Sequence, residues 1–104
     1  RLCHEVKCTL EDVVREGTRV LKPGGRFFMV HRPRRLIEII TVMKRHGLEP
    51  KRMKMVHPYA DREANMVLIE AVRGGGPLLK MEAPVIVFDQ NGEYSPEIRT
   101  TYGY

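Results

Sequence analysis

The stretch LKPGGRFFMVHRPRRL, residues 21–36, decides the fold. It joins a Pro23-Gly24-Gly25 break, an unbroken apolar run from Phe27 to Val30, and a basic corner of His31, Arg32, Arg34 and Arg35. Proline removes a backbone donor and glycine adopts left-handed conformations freely, so the break ends a helix. Four successive apolar residues without alternation predict a strand covered on both faces, the habit of parallel α/β sheets. The glycines therefore read as a turn feeding a buried strand, not as a phosphate-cradling loop.

Upstream, Thr9 and Asp12 have the spacing of a capping box. Leu10, Val13, Val14, Gly17 and Leu21 then recur at helical spacing, while Glu11, Asp12, Arg15, Glu16 and Arg19 face away. Glu11 stands four residues before Arg15, a separation that suits an ion pair. Downstream, Pro33 opens a second helix with Leu36, Ile37, Ile39, Ile40 and Met43 as its apolar face, and Gly47 closes it. Residues 52–57 begin by alternating charge with methionine, which predicts an edge strand. Met66 to Ile69 is apolar throughout and predicts a central one. The segment Pro58 to Ala64 is too short for a crossover helix, so these two strands pair antiparallel.

A right-handed crossover through the second helix sets the edge strand parallel to the strand Arg26–His31, with the apolar strand between them. The other side of Arg26–His31 then has no partner in the sequence. A bare apolar edge is a pairing hazard. It predicts that amino-terminal elements are missing from this chain, or that copies associate or exchange segments through that edge.

Gly74-Gly75-Gly76-Pro77 marks a linker, dividing residues 1–73 from a tail, 74–104. In the tail, Val85 to Phe88 predicts a short strand, Asp89-Gln90-Asn91-Gly92 a turn, and Ser95-Pro96-Glu97 the start of a short helix. Asp89, Asn91 and Glu93 resemble a calcium loop only superficially, since the glycine and the distant bidentate glutamate are out of place.

The totals bound the rest. At 104 residues the chain is one domain or a piece of one, and 42% hydrophobic with 30% charged residues describes a globular chain. No apolar run approaches the roughly 20 residues of a membrane span, so no membrane partner is expected. The net charge is +5 and uneven, with Arg32, Arg34, Arg35, Lys44, Arg45, Lys51, Arg52 and Lys54 opposed locally only by Glu38 and Glu49. Such clustering favours phosphate, though it also suits a solvated helix face. Cys3, His4 and Cys8 do not match a zinc spacing, and no metal is expected. Two unremarked thiols suit a reducing cytoplasm. His31 and His57 end strands that could bring them together for proton relay, and His46 lies near a helix carboxyl end, where a cation is favoured.

The succession "CTLEDVV", "LKPGG", "MVHRPRRL", "HGLEPKRMKMVHP", "NMVLIEAVRGG" and "VIVFDQNGEYSPEIRTTYG" spans nearly the whole chain. It resembles the carboxy-terminal half of class I S-adenosylmethionine-dependent methyltransferases, in particular the bacterial tRNA (adenine-N6)-methyltransferases acting on valine tRNA and their small-domain relatives. The resemblance implies an α/β fold. It would be the last part of a Rossmann-like sheet (a parallel strand, an antiparallel last strand and an edge strand) with two helices and a strand-turn-helix tail. It implies S-adenosylmethionine as cofactor and tRNA as partner of the parent enzyme. The glycine-rich cofactor loop and the Asn-Pro-Pro-Tyr motif of that family are absent; Tyr59 sits in "HPYA" instead. No catalytic or cofactor-binding residue is therefore expected in this chain, nor cofactor binding by it alone. Arg34 replaces an acidic residue common in the relatives, making the corner more basic. Arg32, Arg34 and Arg35, just past the carboxyl end of a sheet strand, are the expected RNA contacts. The alternative is a non-enzymatic small basic α/β module that binds RNA or protein by itself.

Overall fold

Helix α1 (Leu10–Arg19) leads into strand β1 (Arg26–His31), and a short 3-10 turn at Pro33–Arg35 leads into α2 (Leu36–Arg45). Strands β2 (Leu48–His57) and β3 (Met66–Arg73) follow, then the two-residue strands β4 (Lys80–Met81) and β5 (Val85–Ile86) and helix α3 (Pro96–Tyr102). The computed structural model describes residues 9–102. The sheet order is β1-β3-β2-β4, with β5 also on β2. Because β3 is antiparallel to both β1 and β2, those two are parallel to each other, as the crossover argument requires.

Local chemistry sets the boundaries. Thr9 and Asp12 form the full capping box of α1. Gly24 takes φ +85° in the Pro-Gly-Gly turn. Its amide donates to Arg73 O at 2.8 Å, and Arg73 N donates to Gly25 O at 2.9 Å. The turn is thus stitched to the end of β3, and Arg73 Nη1 also donates to Leu21 O, one of the carbonyls left unpaired beyond α1.

Both long helices lie on one face of the sheet. Val14, Ile39, Val42 and Met43 from the helices meet Leu48, Met53, Val67, Ile69 and Ala71 from the strands. Burying one such aliphatic or methionine side chain stabilises by ~1.5–3 kcal/mol. Phe27 lies close enough to α1 that a Cβ at Gly17 would fall inside its ring, so glycine is what lets helix and strand meet.

Four expectations are corrected. Strand β1 is covered on one face only within the described residues: Phe28 is 68% and Val30 58% exposed, while Phe27 and Met29 pack against the core. Ile37 is 77% exposed. The buried positions of α2 are Ile39, Val42 and Met43, and Ile37 lies about 200° around the helix from Ile39. Glu11 does not pair with Arg15; it reaches across to α2, meeting Arg45 Nη1 at 2.6 Å and His46 Nε2 at 2.7 Å, while Arg15 takes Asp12 at 2.8 Å. Finally, β2 is not a free edge. It starts at Leu48 and is irregular between Pro50 and Arg52, where proline lacks an amide for the ladder. Its outer side is paired in parallel with β4 and β5. The outer side of β1 has no strand partner among the described residues.

Candidate nucleic-acid interface

The carboxyl ends of β1, β2 and β5 lie at one end of the sheet, the end where open α/β sheets take ligands. At the β1 end, Arg32 N donates to His31 Nδ1 at 2.8 Å. The next residues turn through the 3-10 segment, with Arg35 N donating to Arg32 O at 3.2 Å. Arg32 and Arg34 are exposed and form no ion pair among the described residues. Arg35 is different. Its Nε and Nη2 hold Glu38 at 2.9 and 2.6 Å, a bidentate clamp. That hydrogen bonding lowers the Glu38 pKa and raises that of Arg35. Of the three expected RNA contacts, two are thus uncommitted and one is engaged inside the chain.

Beside this corner, Val30, His31, Arg32, Asn65 and Met66 line an open cavity of about 380 Å³. His31 does not meet His57, because β3 runs between β1 and β2. Two inter-strand steps separate them by about 10 Å. His57 instead donates from Nδ1 to Arg62 O at 2.8 Å, since a carbonyl can only accept, and so pins the loop after β2. His46 is occupied by Glu11.

The sequence reading missed a second feature at the same end. Tyr59 and Phe88 have ring centroids 5.5 Å apart, and Phe88 and Tyr94 5.4 Å. Phe88 and Tyr94 flank the Asp89 turn as bridge partners, which sets their side chains on one face. That flanking was the available signal. Tyr59 and Phe88 border a cavity of about 590 Å³ with Asp61, Arg62, Asp89 and Gln90. Asp89 Oδ1 accepts from Asn91 N at 2.9 Å and Glu93 N at 3.0 Å, so this carboxylate builds the turn.

The sheet face away from the helices carries Phe28, Val30 and Leu68 beside Arg52, Lys54 and Glu82, lining a groove of about 290 Å³. Glu70, 8% exposed, lies between Arg52 at 2.6 Å and Arg26 at 3.1 Å. No helix among the described residues is long and apolar enough to cross a membrane. Cys3, His4 and Cys8 lie outside the described residues.

The chain matches no protein-family model and no curated protein. Among solved structures it is similar to the crystal structure of a predicted O-methyltransferase from Agrobacterium tumefaciens, with a TM-score of 0.80 and 22% identity over 90% of this chain. The match covers 45% of the length of that protein, so this chain spans about half of it. The similarity shows a methyltransferase-like α/β fold.

Proposed function

We propose that this chain is the carboxy-terminal half of an S-adenosylmethionine-dependent methyltransferase that acts on the exocyclic amine of adenine in tRNA. The observation that carries the reading is the pairing of a methyltransferase-like fold, matched over 45% of a longer protein, with a β1 edge that has no strand partner and an apolar patch that is uncovered among the described residues. In a parent enzyme the missing half would pair with that edge. It would also bring the cofactor, whose methyl sulfonium supplies the transferable carbon. The described residues do not make a place for that cofactor. Strands β1 and β2 end in His31-Arg32 and His57-Pro58, and neither is followed by a glycine-rich turn that would cradle the cofactor; the Asp61 carboxylate after β2 stands without such a turn beside it. The chain alone is therefore inactive in this reading.

Arg32 and Arg34 supply phosphate contacts that position RNA without reading its sequence. Arg35, clamped to Glu38, helps fix the turn that presents them. Replacing Arg32 and Arg34 with alanine should weaken tRNA binding and lower the salt slope by about one per contact removed. Unchanged affinity in that double variant would remove the RNA role from this corner. Alone, the chain self-associates or exchanges segments through β1.

The coding frame upstream of Arg1 tests the class. A glycine-rich strand-turn-helix and an Asn-Pro-Pro-Tyr motif are expected there. An immediate start codon would overturn the reading in favour of a free-standing RNA- or protein-binding module. The uneven charge and the missing catalytic motifs support that second reading.

A further inference from the structure

We infer that the cavity between the loop after β2 and the turn after β5 receives one unstacked nucleobase of a single-stranded RNA, with Tyr59 as its stacking surface. The inference rests on the RNA reading above and adds a second contact point at the far side of the same sheet end.

Chemistry selects the ligand class. The cavity, about 590 Å³, falls within the ~300–1,000 Å³ of small-ligand clefts. One wall is aromatic: Tyr59, half-buried, backed by Phe88 at a ring separation of 5.5 Å and an interplanar angle of 33°. The rim is polar and of mixed character, with the Asp61 carboxylate, the Gln90 amide and the Arg62 guanidinium all exposed. A flat π-surface ringed by both donors and acceptors suits a heterocycle with hydrogen-bonding edges. A phosphate alone would not use the rings, and an aliphatic ligand would strand the polar rim.

The walls are also held in place by the backbone. Val87 N donates to His57 O and Phe88 N to Pro58 O, each at 2.9 Å, tying the two segments together. Within the first segment, Arg62 N donates to Tyr59 O at 3.1 Å and His57 Nδ1 to Arg62 O at 2.8 Å. Ser95 Oγ donates to Ile86 O at 2.5 Å, holding the tail against β5. A surface organised before binding loses less freedom on complex formation. From β1 to β5 the sheet takes three inter-strand steps, roughly 14 Å. Arg32 and Arg34 can therefore hold phosphates of the same strand whose base enters the cavity.

Anisotropy titrations of the full chain test this, using a fluorescent single-stranded oligoribonucleotide and the same oligomer with abasic sites. The base-containing oligomer should bind about 5- to 100-fold more tightly. Tyr59→Ala should abolish that preference, while Tyr59→Phe, which keeps the ring, should retain it within about 2-fold. Gln90→Ala leaves the rings untouched and should reduce discrimination among bases, which keeps the test valid if Tyr59→Ala fails to fold by circular dichroism. Arg32→Ala and Arg34→Ala should lower the salt slope but preserve the base preference. Equal binding of abasic and base-containing oligomers, with a salt slope still dependent on Arg32 and Arg34, would overturn the cavity and leave the RNA reading intact. Failure to bind any RNA would overturn both.

Discussion

The two faces of the sheet differ more than any two regions of the molecule. On the helix side, alternate residues of β3 (Val67, Ile69 and Ala71) are fully buried beneath α1 and α2. On the other side, Met66 and Leu68 of the same strand and Phe28 and Val30 of β1 are partly or largely open. Nothing in residue chemistry separates the sets, because Phe28 is as apolar as Phe27. The difference teaches that apolar character alone does not decide burial: within the described residues both long helices sit on one face, while the other mixes these apolar side chains with Arg52, Lys54 and Glu82 and stays open. Exposed clusters of this kind mark places where another surface belongs.

Stability measurements can break that comparison at its strongest point. Ile39→Ala or Ile69→Ala should cost ~2–5 kcal/mol in chemical denaturation, because each empties a close-packed site. Val30→Ser on the open face should change the isolated chain by only about 0.5 kcal/mol. Equal costs on the two faces at a protein concentration low enough to keep the chain monomeric would mean that the open face is buried within the monomer.

A smaller effect sharpens the covered side. Gly17→Ala normally favours a helix, by ~1 kcal/mol. Here the added methyl meets the Phe27 ring, so the variant should instead lose ~1–3 kcal/mol. A stabilised variant would show that α1 and β1 pack less closely than described.

The smallest expected effect is electrostatic. Hydrogen bonds first from His46 and then from Arg45 lower the Glu11 pKa from its ordinary value of 4.5. A carboxylate depressed in the folded state adds stability above its unfolded value, and that contribution fades as pH falls through the folded value. The α1–α2 contact should therefore weaken on acidification below about pH 4.5. Glu11→Gln should flatten that part of the stability profile, and an unchanged profile would mean that the contact does not persist in solution.

Much of this architecture was legible because it rests on local chemistry. The Thr9 cap, the Pro-Gly-Gly turn and the β1-β3-β2 order follow from spacing, breakers and loop length. What escaped depended on tertiary placement. Ile37 looked like core because it is apolar, yet the phase of α2 follows Ile39 and Val42. Glu11 had a suitable partner four residues away, but the meeting of two helices offered it both Arg45 and His46. The short strand expected from Val85 is β5, Val85–Ile86; the two residues of β4 were too few to announce a strand, and only their parallel register on β2 makes them one. At the candidate site, the basic corner was visible as composition. The commitment of Arg35 to Glu38 was not, and neither was the gathering of Tyr59 with Phe88 from segments far apart in sequence.

The central claim is that the β1 edge and the open face form a joining surface. Sedimentation equilibrium of the full chain across micromolar concentrations tests it most directly. The account predicts an average mass rising from monomer toward dimer with concentration, and a Phe28→Ser/Val30→Lys variant that stays monomeric and folded. A wild-type chain that remains a well-folded monomer throughout that range would contradict it.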